Sequence, residues 1–487
     1  MTSIPSLLKL SPRYIYLIMG PLAFLLIGYA NIIPVDHTIQ KVLGIAFWII
    51  LWWVTEAIPM PVTSLFPLVL FPLFGVLDLN TASANYANQT VFLFMAGFIF
   101  ALAIEKHKLH IRIALHIVKF IGTDCDKLIL GFMIATFFVS MWISNSAAAL
   151  LMFPVATSVL FLLEEEFVQL KLEHEFKNFA ISLLLGLAFS ATVGGISTII
   201  GTPVNIVFTG YLKQSYNIDM TFMEWFVIGF PLAVLLLISA YFVIVKLLFR
   251  VKIKSLPGAN RIIEEKIGDL GPTSYQEYAV VTAFVLTALG WIIRTPVATF
   301  FKIDFLNDTS IGMIGALLLF IIPDKSAKKG FLFDWESMDK FPWGILMMIG
   351  GGLALAKAFE VSGVIKLIGE TISSSGVGNY LVLIIVLVGI MVILKLFVTT
   401  NTALATIAIP MVFGIANAIH IPPLLLGFPV AIAISYAFIL PMSTPPNAIV
   451  FTTGQVKIKD MVVAGLIMTT IGFVLLIATF SIYRNLI

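Results

Sequence analysis

Apolar stretches follow one another along this chain almost without pause, and several are broken by polar or helix-breaking clusters where an uninterrupted span would stay apolar. In hydrocarbon an unsatisfied backbone group costs several kcal/mol, so such breaks must be buried in protein or line a wet cavity. Hydrophobic residues make up 60% of the 487 and charged residues only 11%, against roughly 45–50% and about 25% in soluble domains. At about 20 residues per span there is room for ten or more membrane helices. The expectation is an all-α polytopic membrane protein.

The net charge of +3 is small and sits between apolar runs, at Arg250, Lys252 and Lys254 and in Asp324-Lys325-Ser326-Ala327-Lys328-Lys329. These read as cytoplasmic flanks, so no nucleic-acid partner is expected. Lys9 and Arg13 precede the first long stretch, Tyr14 to Ile33, which places the N-terminus in the cytoplasm and is too long for a signal-peptide core. The single Cys125 excludes an intramolecular disulfide.

The breaks are the informative part. Trp52-Trp53-Val54-Thr55-Glu56-Ala57-Ile58-Pro59-Met60-Pro61, Ser144-Asn145-Ser146, Gly194-Gly195-Ile196-Ser197 with Gly201-Thr202-Pro203-Val204-Asn205, Gly350-Gly351-Gly352, Thr399-Thr400-Asn401-Thr402 and Ser443-Thr444-Pro445-Pro446-Asn447 interrupt apolar runs. They recur in order. Glu105 and Glu360 follow similar Ala/Leu segments, Asn145 and Asn401 centre small polar triplets, and a Thr-Pro-x-Asn element follows each triplet. The first interval, Asn145 to Asn205, exceeds the second, Asn401 to Asn447, by 14 residues, which the charged stretch Glu164–Lys177 is expected to absorb as a loop. This divides the chain into a first repeat over 1–249, a linker over 250–272 and a second repeat over 273–487. Matching interruptions in two halves point to a transporter site at the repeat interface, whereas small residues alone could merely permit close helix packing.

A helix that starts at Asn145 or Asn401 presents unpaired N–H groups and the positive end of its dipole to an anion. Asn, Ser and Thr side chains add neutral donors, and two such tips suit a molecule with a carboxylate at each end. Cations would sit where carbonyls and hydroxyls converge; Ser140, Ser144, Asn145 and Gly201 are the candidates for sodium. Five residues before Asn401 stands Leu396, which offers no oxygen, and beside it Lys395. A buried lysine in an apolar run is functional by default, either snorkelling to an interface or standing in for a second cation. Lys357 and Glu360 read as an interfacial pair, and Glu56 as a brace within its Pro-rich turn. No His-Glu-x-x-His spacing, Cys/His cluster or Walker lysine is present, so neither an enzyme nor an ATP-driven pump is expected.

The triplets, the Thr-Pro-x-Asn elements and the Trp-Trp-Val-Thr-Glu-Ala-Ile-Pro segment together resemble the divalent anion/sodium symporter family, the INDY-type dicarboxylate carriers. The resemblance implies about eleven transmembrane helices in two inverted repeats with re-entrant hairpins, and a homodimer working by an elevator mechanism in the inner membrane. It implies substrates such as succinate, malate, fumarate, 2-oxoglutarate or citrate, with no cofactor beyond sodium. Carried over by position, Asn145 and Ser146 with Asn401 and Thr402 bind substrate, flanked by Ser144, Thr400 and Thr444, while Pro203 and Pro446 shape the facing loops. Ser146 stands where the family carries Thr, and Thr400 where it carries Ser. With Leu396 lacking a ligand oxygen and Lys395 beside it, the expectation is a sodium-independent dicarboxylate exchanger, and sodium-coupled symport is the alternative.

Overall fold

The computed structural model describes residues 12–30, 34–169, 171–252, 257–302, 306–325, 330–373, 380–398 and 400–483. Lys9, Ile33, Lys254, Ser326 to Lys329 and Thr399 lie outside the described residues. Among the described residues the secondary structure is helical, with one isolated bridge between Pro323 and Phe331. Among the described residues nine helices are long and apolar enough to cross a membrane, and five shorter apolar helices accompany them. The expected number of about eleven spans lies between the nine long helices and the fourteen of both kinds.

The order of elements repeats. Gln89–Lys106, Leu109–Ile121, Cys125–Ser140, Asn145–Gln169, Glu173–Ile196, Pro203–Tyr216 and Phe222–Tyr241 are followed, in the second half, by Trp343–Ser362, Val364–Ser373, Tyr380–Leu394, Asn401–Ala418, Pro423–Ile434, Pro445–Phe451 and Ile458–Tyr483. Local chemistry sets these boundaries. Pro at the first helical position, where its missing N–H is harmless, opens Pro203–Tyr216 and Pro445–Phe451. Thr221 and Ser274 build capping boxes with Glu224 and Glu277 at the starts of Phe222–Tyr241 and Tyr275–Phe301.

Three expectations are corrected. The charged stretch Glu164–Lys177 is not a loop; the extra length goes into longer helices, Asn145–Gln169 and Glu173–Ile196 having 25 and 24 residues against 18 and 12 in their counterparts. Gly350-Gly351-Gly352 is not a break but lies within the continuous helix Trp343–Ser362. Its glycines permit close approach, since a Cβ on Gly351 would lie 2.3 Å from the Ser64 carbonyl oxygen. The Glu56 side chain is exposed; its residue ends helix His37–Thr55 in the left-handed region, and Arg13 Nε holds the turn by donating to Ala57 O at 2.8 Å.

Within the segment expected as a linker, Pro257–Asp269 forms a helix. It buries Ala259 and Ile263 and packs against Leu109–Ile121 and Asn145–Gln169. Arg112, on Leu109–Ile121, fastens the next helix by donating to Glu277 at 2.6 Å and to the carbonyls of Leu270 and Gly271. The apolar window of Glu173–Ile196 is wholly buried, whereas that of Tyr275–Phe301 is only 22% buried. The first lies at the centre of the molecule and the second at its periphery.

Candidate functional site

Both tips form as broken helices. Cys125–Ser140 ends, Met141 to Ser144 turn, and a new helix begins at Asn145. In the second half Tyr380–Leu394 ends and a new helix begins at Asn401, with Thr400 extended ahead of it. Ser144 Oγ accepts the amide of Ala147 at 3.3 Å and so caps its helix. Each restart aims free amide groups and a positive dipole end away from the helix body.

The Thr-Pro elements supply the facing turns. Thr202 and Thr444 have nearly the same backbone, φ −147 and ψ 145 against φ −150 and ψ 153. Asn205 Nδ2 donates to the carbonyls of Gly195 and Thr198 at 3.0 and 2.7 Å. Asn447 Nδ2 donates to Ala437 and Leu440 at 2.9 and 3.1 Å. The conserved geometry of the two turns therefore rests on asparagines that brace backbone, a role the sequence motif alone did not separate from ligand binding.

Tips and turns meet. A cavity of about 410 Å³ is lined by Ser144, Asn145, Ser146, Pro203, Thr400, Asn401, Thr402, Thr444 and Pro446, together with Thr202 and Pro445. Every residue expected to bind substrate thus lies on one cavity, of the size usual for small-ligand sites. Its polar lining near the tips is amide and hydroxyl, suited to solvating carboxylates without a fixed guanidinium. Glu105 and Lys340 are the charged residues on its wall, and sequence reading missed Lys340. A larger cavity of about 780 Å³, bordered by Tyr211, Glu360 and His420, touches neither tip; Glu360 there pairs with Lys357 at 3.0 Å, as expected.

Beneath the first tip, oxygens converge. Ser140 is fully buried and its Oγ donates to Ala191 O at 2.6 Å. One terminal atom of the Asn145 carboxamide lies 3.0 Å from Ser140 Oγ, 3.2 Å from Ala191 O and 3.3 Å from Gly201 O. With nitrogen in that place the amide donates to these acceptors. With oxygen there, as beside a bound cation, the carboxamide would add a fourth oxygen to these three. Gly195 is what allows Asn145 in, for a Cβ at Gly195 would sit 2.0 Å from the Asn145 side chain. Of the four residues expected for sodium, Ser140, Asn145 and Gly201 lie together, whereas Ser144 caps its helix through Ala147; the Ala191 carbonyl was not foreseen, because a main-chain ligand leaves no residue signature.

The second tip is built differently. Leu396 offers no oxygen and is partly exposed, whereas Lys395 is 2% exposed and its Nζ donates to Val398 O at 2.9 Å, in the turn just before the Asn401 helix. Lys395 therefore does not snorkel to an interface. Thr400 Oγ1 and Asn401 Oδ1 are buried without a hydrogen-bond partner among the described residues. Among those residues there is also no cluster of three His, Cys, Asp or Glu that could hold a metal.

Broken helices from two halves whose polar tips converge on one cavity inside an apolar bundle define a membrane transporter rather than an enzyme. The chain belongs to the divalent anion:sodium symporter family: the family model described as "Sodium:sulfate symporter transmembrane region" matches residues 9–487. It is 38% identical over 469 residues to the sodium-dependent dicarboxylate transporter SdcS of Staphylococcus aureus strain USA300, covering 96% of this chain and 90% of that one. It is 37% identical over 471 residues to the protein of the same description from Staphylococcus saprophyticus, covering 95% and 89%. The crystal structure of the Alcanivorax borkumensis YdaH transporter aligns over 98% of both chains with a TM-score of 0.55 and 11% identity, a likeness of fold alone.

Proposed function

We propose that this chain moves C4 and C5 dicarboxylates, such as succinate, malate, fumarate and 2-oxoglutarate, across the plasma membrane together with sodium. One carboxylate is held at each Asn-centred tip. The observation that carries this reading is the single cavity lined by Asn145, Ser146, Asn401 and Thr402 together. The oxygens of Ser140, Ala191 and Gly201 around the Asn145 carboxamide support one sodium site, and the sodium-dependent relatives favour symport over the exchange expected from sequence. A dianion entering a poorly hydrated cavity needs compensating positive charge; a sodium ion below Asn145 and the Lys395 ammonium beside Asn401 would supply two.

Sodium-independent exchange is kept as the second reading because Lys395 is buried where a second cation would otherwise sit. A group carried on the chain cannot leave with the substrate as a sodium ion can, so the carrier would return more readily when loaded. The working unit in either case is taken as a homodimer with two inverted repeats, a cytoplasmic N-terminus and an elevator movement of the tip-bearing helices against the peripheral ones. Succinate uptake into proteoliposomes tests the reading. Uptake driven by an inward sodium gradient without internal substrate supports symport; uptake that needs internal dicarboxylate and ignores sodium supports exchange; uptake of neither kind refutes both.

A further inference from the structure

The tip cavity has one charged wall, made by Glu105 from the first half and Lys340 from the second. Glu105 lies in the last turn of helix Gln89–Lys106, and Lys340 ends the short 3-10 helix Glu336–Lys340 that leads into Trp343–Ser362. Their charged atoms stand 3.9 Å apart, at the outer limit of an ion pair, and the Lys340 side chain is 76% exposed against 35% for Glu105. Such a loose, solvated pair is weak and readily broken. The neighbouring lysine is committed elsewhere: Lys106 donates to Asp334 at 2.6 Å, and Lys106 with Ser337 holds the Asp334 carboxyl down to about 2. His107 ties the same two segments through Leu332 O at 2.7 Å, so the backbones carrying Glu105 and Lys340 are held while the Lys340 side chain is free to swing. Glu360, the counterpart of Glu105, pairs within its own helix instead.

The geometry points to Lys340 as a capture residue for the entering dianion, which exchanges its weak contact with Glu105 for a substrate carboxylate before the tips take over. This deepens the dicarboxylate reading and rests on it. A solvated cation at the mouth of a cavity with low-dielectric walls raises the local concentration of anions, and its pull on a dianion is twice that on a monoanion. Glu105 opposes this by occupying Lys340 and by repelling anions. The two side chains should therefore act on KM in opposite directions, with little effect on the maximal rate, because neither is a tip residue.

The test is succinate uptake by purified protein in proteoliposomes at two ionic strengths, for the wild type, Lys340→Ala, Lys340→Arg and Glu105→Gln. Lys340→Ala should raise KM by about three- to tenfold, the size expected from one solvated charge acting on a dianion, and should weaken the rise of KM with salt. Lys340→Arg should stay near wild type, and Glu105→Gln should lower KM. Wild-type uptake with KM unmoved in Lys340→Ala, or with both substitutions shifting KM the same way, overturns the capture role alone. Absence of wild-type uptake overturns the dicarboxylate reading and the capture role together.

Discussion

Asn205 and Asn447 are equivalent residues of two halves, and each donates through Nδ2 to the carbonyls ten and seven positions before it. The same pair of bonds closes both turns that face the tips, so the internal symmetry reaches the level of individual hydrogen bonds. It fails below the tips, where Ser140 on one side is answered by Leu396 and Lys395 on the other.

Asn205→Ala and Asn447→Ala should each lower the thermal stability of the purified protein. Each removes two buried bonds worth about 0.5–1.5 kcal/mol apiece and leaves carbonyls unsatisfied. A melting curve in detergent checks this; an unchanged midpoint in both variants would show that the turns are held by other contacts.

Gly351→Ala should also destabilise, by about 1–3 kcal/mol, because the new methyl meets the Ser64 carbonyl oxygen in a packed helix crossing. Gly268→Ala, within helix Pro257–Asp269 where nothing lies within 4 Å of the added methyl, is the control and should leave the midpoint unchanged or raise it slightly.

Ser140→Ala removes one of the three oxygens that surround the Asn145 carboxamide. The half-saturating sodium concentration for uptake is expected to rise about tenfold, corresponding to roughly 1.4 kcal/mol for a lost charge-assisted contact, while uptake at saturating sodium is retained. Sodium titration of the variant checks it, and an unaltered half-saturation point would place the cation elsewhere.

Lys395→Ala deletes a buried ammonium and leaves the Val398 carbonyl without that donor. Coupling should change: the variant is expected either to lose transport or to show an altered dependence on sodium and on internal substrate. Parallel uptake and counterflow assays decide, and wild-type behaviour in both would remove Lys395 from the charge balance.

Much of this architecture was legible because a broken membrane helix needs residues that are rare inside apolar runs. Asn145, Asn401 and the two Thr-Pro turns announced themselves in that way. Gly350 to Gly352 misled because close helix packing calls on the same small residues as a break. The Glu164–Lys177 stretch misled because charge indicates solvation but not whether the solvated backbone is helical. The Ala191 carbonyl could not be read from a side chain, and Lys340 reaches the cavity only because the fold brings it beside Glu105, 235 positions earlier.

The central claim is that the two tips hold one molecule between them, and calorimetric titration of purified protein with succinate in sodium buffer tests it most directly. One succinate per protomer is expected, with binding lost in Asn145→Ala and also in Asn401→Ala while both variants keep the wild-type elution volume on size exclusion. Two succinates per protomer, or wild-type binding in either variant, would contradict it.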